Sequence, residues 1–358
     1  MNPKKILMLK GHSAGIGDIL RSSAAWRSLK EKFPDASLNL VFLSNHMNYP
    51  SHTLIENHHL LDTFFVLDKN KMQNPKGIIE NSKEFIKILD KVKPDIIIDF
   101  EPYGLETTIL SLIGRLKYKI KTVGINEVFP RGLLYTLYAP STKKFAKLTG
   151  RKLPLNYTDR DYVVLYALGI ERGNTQIEIK ETPKGKEFRL KLKNMLNLPQ
   201  ETKMFGINIG CGTEDAVSRR VDYHLIAETT AFVYKKYGFI PVLFGAPFEK
   251  SINEEFLKLF KSKYPDIPVY DIAGKTDILE VVGAINAMEL FISSDSGPYH
   301  IAVALRKPTV AIFNFDNKEA YHYNDWTKCV VAPDISKLKD VFKAIDEVMS
   351  NAKSSNVS

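Results

Sequence analysis

The chain contains the same opening unit twice, and that repetition restricts its fold more than any other feature. Ile6-Leu7-Met8-Leu9 is a short apolar run leading into a glycine loop, Gly11 to Gly17, then an amphipathic stretch from Ile19 to Phe33 that stops at Pro34. In the second half Phe205 to Ile209 leads into Gly210-Cys211-Gly212, and a helical pattern from about Tyr223 to Tyr237 ends at Gly238. Strand, glycine turn and helix form the unit of a doubly wound parallel sheet, so the recurrence predicts two such α/β sheets in tandem. The length agrees, because 358 residues exceed what one hydrophobic core commonly organises.

Other brief apolar runs fit the alternation. Ser37 to Leu43, Ile96 to Asp99 and Thr122 to Ile125 read as strands of the first sheet. Pro241 to Phe244, Val269 to Ile272, Leu290 to Ser293 and Thr309 to Phe313 read as strands of the second. Such runs suit strands covered on both faces. The charged, proline-punctuated stretch from Glu181 to Thr202, with a helix over Phe188 to Leu196, predicts the domain boundary. We therefore expect domains over 1–180 and 181–333, then a C-terminal helix and frayed tail over 334–358, the polar tail fraying from Asn351. In that helix Ile335, Leu338, Val341, Phe342, Ile345 and Val348 recur at helical spacing, and Asp334 or Ser336 can cap its start.

Composition narrows the class. A content of 44% hydrophobic and 25% charged residues suits a globular chain. No apolar run reaches the roughly 18–20 residues of a membrane-spanning helix. Lys4 and Lys5 precede only the short run Ile6 to Leu9, which reads as a buried strand rather than a signal peptide. Two cysteines, Cys211 and Cys329, are too few for a disulfide framework, so a reducing cytoplasm is the expected home. The net charge of +9 is unevenly placed: residues 1–180 hold 27 Lys/Arg and 18 Asp/Glu, whereas 181–358 hold 23 of each. The first half is therefore expected to meet an anionic acceptor, or to touch an anionic membrane face peripherally. No zinc-finger, homeodomain or RNA-binding signature accompanies the charge, so nucleic acid is not an expected partner.

The densest chemistry lies in Glu289 to Ala304. A strand ends at Ser293, Asp295 or Ser296 can cap a following helix, Gly297 permits close approach, and Pro298 sits in the first turn. The amides and positive dipole end of such a helix suit a diphosphate, and His300, one turn in, can add a hydrogen bond.

The run Asp295 to Phe313, DSGPYHIAVALRKPTVAIF, resembles the C-terminal signature of glycosyltransferase family 9, whose best-known members are ADP-heptose:lipopolysaccharide heptosyltransferases. Four further stretches resemble family elements in the right order. They are Ala14-Gly15-Ile16-Gly17-Asp18-Ile19-Leu20, Pro94 to Phe100, Leu243 to Glu249, and Ile272 to Thr276. The resemblance implies the GT-B fold, two Rossmann-like domains facing a cleft.

It also implies roles. Asp18 matches the general base of an inverting transfer, in the glycine loop of Gly15 and Gly17; the alternative is that it caps a helix beginning at Ile19. Arg219 or Arg220 stands where many members carry a lysine near the donor phosphates, and an arginine forks where a lysine is a point charge. The tryptophan often found just downstream is replaced by Val221 or displaced to Tyr223. Glu249 matches the acid that holds ribose hydroxyls, and Gly210, Cys211, Gly212 and Thr213 form a loop that either contacts phosphate or is a simple turn. Lys275 and Thr276 either contact the donor or start a helix.

Three patterns are set aside. Gly15-Ile16-Gly17 lacks the third glycine of a dinucleotide fingerprint, which would fall at Leu20. Asp159-Arg160-Asp161 resembles a metal-binding Asp-x-Asp but precedes an expected helix over Tyr162 to Leu168, so capping is the preferred reading. His52, His58 and His59 have no companion ligands, so neither a metal nor a cofactor is expected. The expected function is an inverting, metal-independent transfer of heptose from ADP-heptose to an acceptor such as a lipopolysaccharide core. A nicotinamide-dependent oxidoreductase and a non-catalytic sugar-nucleotide-binding protein are the alternatives.

Overall fold

A computed structural model describes residues 2–12, 15–211 and 214–355. The chain divides into two compact units, Met1–Ile177 and Glu178–Ser358. The first contains β1 (Lys5–His12), β2 (Ser37–Ser44), β3 (Thr63–Asp68), β4 (Ile96–Asp99), β5 (Lys121–Ile125) and β6 (Leu137–Ala139). These form one parallel sheet in the order β3-β2-β1-β4-β5-β6. The second contains β7 (Met204–Asn208), β8 (Ile240–Leu243), β9 (Tyr270–Asp271), β10 (Leu290–Ser294), β11 (Thr309–Phe313) and β12 (Thr327–Val331). Its parallel order is β12-β11-β10-β7-β8-β9, the same winding with β7 and β10 in the places of β1 and β4.

Each sheet reverses direction once, between β1 and β4 and between β7 and β10. Ligands of doubly wound sheets bind beyond the carboxyl ends of the strands at that reversal, because the flanking helices diverge there and leave a crevice. The central strands are apolar and covered: Ile6 to Leu9, Ile96 to Ile98, Phe205, Ile207 and Leu290 to Ile292 have essentially no exposure. Helices cover them, with Phe85, Leu89 and Leu110 on the first sheet and Leu225, Phe256, Val341 and Ile345 on the second.

Several boundaries differ from expectation. β3, β6 and β12 are added strands, each at a sheet edge. Their residues are mostly partly exposed rather than buried, so they lack the continuous buried pattern that marks a central strand. The helix expected from Ile19 to Phe33 is two helices, Ile16–Leu20 and Ser23–Lys32, with Ser22 N donating to Ile19 O rather than one residue further back. The helix expected over Tyr162 to Leu168 is Tyr157–Tyr166, and that over Phe188 to Leu196 is Pro183–Met195. The last helix, Leu338–Ser355, continues through the stretch expected to fray at Asn351.

Candidate active site

Each unit places its chemistry at its own sheet reversal. In the first unit β1 runs into Lys10 and Gly11, and β4 into Asp99 and Glu101. Glu101 Oε1 accepts from Gly11 N at 3.1 Å and so ties the two strand ends together. Gly15 occupies the N-cap position of the helix Ile16–Leu20, and Gly17 is buried in its first turn. Asp18 is the third residue of that helix and half-buried, with its amide donating to Gly15 O at 3.1 Å. The reading of Asp18 as a cap is therefore corrected: the helix begins before it, at a glycine that has no side chain to cap with.

Sequence reasoning missed the cation beside Asp18. Lys10 Nζ is buried and pairs with Asp161 Oδ1 at 2.7 Å. Burial works to strip this lysine of its proton. The negative charges of Asp161, Glu101 and Asp18 outweigh it and hold the ammonium above the ordinary lysine value. This also corrects the reading of Asp159-Arg160-Asp161 as capping residues. Asn156 caps the helix through Thr158 N, Asp159 pairs with Arg151 and Arg172, and Asp161 belongs to Lys10. No signal in local spacing links Lys10 to a residue 151 positions away.

A second buried group closes this end of the sheet. Asp99 Oδ2 accepts from Arg131 at 3.0 Å and from Tyr135 Oη at 2.6 Å, while Oδ1 accepts from Glu101 N at 2.9 Å. Burial still pushes the Asp99 carboxyl up to about 6, against the pull of Arg131, the Tyr135 hydroxyl and the Glu101 amide. The folded chain thus holds this proton more tightly than the unfolded one. Its contribution to stability is present below the unfolded value of 3.8 and is lost as pH rises to about 6. The slope is at most about 1.4 kcal/mol per pH unit. In urea titrations across that window, Asp99→Asn should flatten this decline; a curve of unchanged shape would assign it to another group.

In the second unit a hydroxyl network stitches the end of β7 to the end of β10. Asn208 Nδ2 donates to Gly210 O at 2.9 Å and to Ser296 Oγ at 3.0 Å, Ser294 Oγ donates to Gly210 O, and Ser293 and Ser296 share a hydrogen bond of 3.1 Å. The Cys211 thiol donates to Asp295 O at 3.1 Å. Ser296 stands at the N-cap of the helix Gly297–Ala304, with Pro298 in its first turn. Its hydroxyl is turned into this network and makes no capping bond, which corrects the expectation that Asp295 or Ser296 caps the helix through its side chain. Ser296 thus gives the first amides of the helix no side-chain cap, and the positive dipole end lies behind them.

Charged groups gather around that end. Arg219 Nη1 lies 3.9 Å from the buried Asp295 carboxylate. Glu249 is buried, with Oε2 accepting from Ala246 N at 2.7 Å. Its Oε1 has no hydrogen-bond partner among the described residues and lies against Gly210, where an added Cβ would come within 2.1 Å of it. Burial pushes this carboxyl up, while the Ala246 amide and the Arg220 charge pull it down. Arg219 and Arg220 therefore both face acids of this site. Val221 is buried and donates its amide to Ile209 O, whereas Tyr223 bonds Glu255.

His300 is buried, and its Nδ1 lies 2.9 Å from Nε2 of His322, a residue the sequence reading overlooked. One ring must donate and the other accept, so His300 Nδ1 is committed and any phosphate contact falls to Nε2. Tyr299 Oη accepts from His322 N at 3.1 Å and anchors the second ring. Lys275 donates to Asp271 O, and the helix Ile278–Asn286 is capped by Asp277, so neither Lys275 nor Thr276 starts it. Gly212 and Thr213 lie outside the described residues.

Residues 232–345 match glycosyltransferase family 9 (heptosyltransferase). A curated relative, lipooligosaccharide heptosyltransferase 2 of Campylobacter jejuni, is 32% identical over 127 residues, which cover 35% of this chain and 38% of the relative. The glycosyltransferase family 9 structure from Veillonella parvula superposes with a TM-score of 0.73 at 18% identity, covering 99% of this chain and 97% of that one. E. coli ADP-heptose LPS heptosyltransferase II superposes with a TM-score of 0.68 at 17% identity, covering 98% and 99%. The chain spans 38% of the length of the two Campylobacter jejuni relatives in sequence, whereas the likeness of fold, GT-B, extends along nearly all of it. With this matched stretch in its second unit and this fold in both, the chain is glycosyltransferase family 9-like and heptosyltransferase-like.

Proposed function

We propose that the chain is an inverting, metal-independent glycosyltransferase that moves heptose from ADP-heptose to a glycan acceptor such as a lipopolysaccharide core. The observation that carries the reading is the helix end at Gly297, whose N-cap hydroxyl is turned away and whose surroundings supply Arg219 and Arg220. A diphosphate is an anion of the right kind for uncapped amides and a dipole end. In this reading the domain over 181–333 binds the nucleotide sugar and the domain over 1–180 presents the acceptor.

The chemistry is a single displacement. Asp18 takes the proton of an acceptor hydroxyl as that oxygen bonds to the anomeric carbon from the face opposite the diphosphate. The bond to the diphosphate breaks with inversion. The charge gathering on the departing oxygen is met by the helix amides, the arginines and His300 Nε2, so the protein itself supplies the positive field. Glu249 Oε1 is the acceptor left for a ribose hydroxyl. We place the reaction in the cytoplasm, with the basic first half toward an acceptor held at an anionic membrane face; no helix among the described residues is long and apolar enough to cross that membrane.

The test is a donor panel read as release of nucleoside diphosphate, with thermal shifts recorded for each donor and for NAD. ADP release from ADP-heptose, dependent on a glycan acceptor, is the expected result. Stabilisation by NAD with no nucleotide release from any sugar donor would instead point to an oxidoreductase. Binding without turnover for every donor and acceptor would point to a silent binding protein.

A further inference from the structure

His322 reaches the donor end of the second unit from outside the helix that forms it. It lies on the segment between β11 and β12, which is pinned to the helix Gly297–Ala304 at two points. Near the start of the helix His322 N donates to Tyr299 Oη at 3.1 Å, and near its end Trp326 Nε1 donates to Val303 O at 3.0 Å. Tyr299 Oη also shares a hydrogen bond of 3.2 Å with Cys329 Sγ on β12. The ring of Tyr299 packs against those of His300 and His322 at centroid distances of 4.6 and 5.3 Å. His322 is thus placed by its backbone amide and by ring packing, and its Nε2 is turned to His300.

Both imidazoles are buried, and His300 Nδ1 lies 2.9 Å from His322 Nε2 with the ring planes at 79°. A neutral imidazole has one N–H and one lone pair, so two neutral arrangements satisfy this bond. In one, His300 Nδ1–H donates to His322 and leaves a lone pair on His300 Nε2. In the other, His322 Nε2–H donates and His300 carries its proton on Nε2. Only the second lets a neutral His300 donate to a phosphate oxygen. The first sets a lone pair against an anion, at a buried position where a mismatched polar group is costly. Which nitrogen of His300 holds the proton is therefore set by the bond its other nitrogen makes.

We propose that His322 is a positioning residue for the donor diphosphate: it donates from Nε2 to His300 Nδ1 and so holds the His300 ring with its proton on Nε2, toward the phosphates. The role rests on the reading of the helix end at Gly297 as the donor site, and adds to it the residue that fixes the polarity of His300. His322 touches no substrate in this role and acts only through His300.

The experiment uses the full chain, with nitrogen-15 in its histidines, and ADP as the probe. Imidazole NMR spectra are recorded with and without ADP, and ADP affinity is measured by calorimetry. In the complex the His300 signals, identified by their loss in His300→Ala, should show a neutral ring with the proton on Nε2. His322→Leu should weaken ADP binding about tenfold, the scale of one hydrogen bond to a charged group. His322→Gln, whose amide nitrogen can stand where Nε2 stood, should remain within about threefold of the parent. In a His300→Ala background, His322→Leu should change the affinity by less than about twofold, because the bond it breaks is already gone. A residue that only supports the fold would cost the same in both backgrounds. A proton on His300 Nδ1 in the complex, whether the ring is neutral or charged, would overturn the proposal, and so would equal losses for His322→Leu with and without His300. The spectrum of the parent decides the matter whatever the stability of the variants. Those outcomes leave ADP binding and the donor site standing, whereas a parent that binds no ADP and releases none from any sugar donor would reject the donor site itself and the role of His322 with it.

Discussion

Replacing Asp18 with Asn should lower turnover by about 10²- to 10⁴-fold, the usual contribution of a positioned general base. Asn is of the same size and keeps the first turn of Ile16–Leu20, whose N-cap is the backbone of Gly15. The donor groups, on the other unit, are untouched, so the dissociation constant for ADP should move by less than about threefold, a shift well below the 1.4 kcal/mol of a tenfold change. Asp18→Ala should behave alike. The measurements are single-turnover transfer and calorimetric ADP binding. Near-parental turnover in both variants would remove Asp18 from the chemistry. Equal losses of turnover and of ADP affinity would mean that the substitution disturbed the fold.

The second large effect is on stability. Lys10→Met should destabilise the first unit by about 3–5 kcal/mol, because it strands the Asp161 carboxylate in the interior with no counter-charge. Asp161→Asn should cost less. It leaves Lys10 facing Glu101 and Asp18, two of the three acids that hold its proton. A protein with Lys10→Met and Asp161→Leu together should recover much of the loss, as an apolar pair can replace a buried ion pair of similar volume. Urea denaturation, followed by a probe in the first unit, tests the series. A loss for Lys10→Met within about 1 kcal/mol of zero would show that water or backbone already satisfies Asp161, as at an exposed pair.

The elements that could be read along the chain are those whose cause is local. β1, β4, β7 and β10 are short apolar runs because both faces of a central parallel strand are covered. Their ends carry glycine or small polar residues because backbone must turn sharply there. That is why Gly15, Gly17, Asp18, Gly210 and the stretch Asp295 to His300 stood out, and the structure puts them at the two sheet reversals. β3, β6 and β12 escaped because edge strands are partly exposed and owe their pairing to one neighbour.

The side-chain partnerships belong to another class. Whether Asp161 caps a helix, holds a metal or neutralises a lysine depends on Lys10, which only the folding of the first unit brings to 2.7 Å. The same holds for His322 behind His300, for Arg131 beneath two loops, and for Ser296, whose hydroxyl chose Asn208 and Ser293 over the amides of its own helix. Periodicity and turn chemistry act over a few residues and so are written in the order of the chain. Burial and charge pairing act through space, so the protonation of Lys10, the raised carboxyl of Asp99 and the uncapped helix at Gly297 were decided by the assembled sheets.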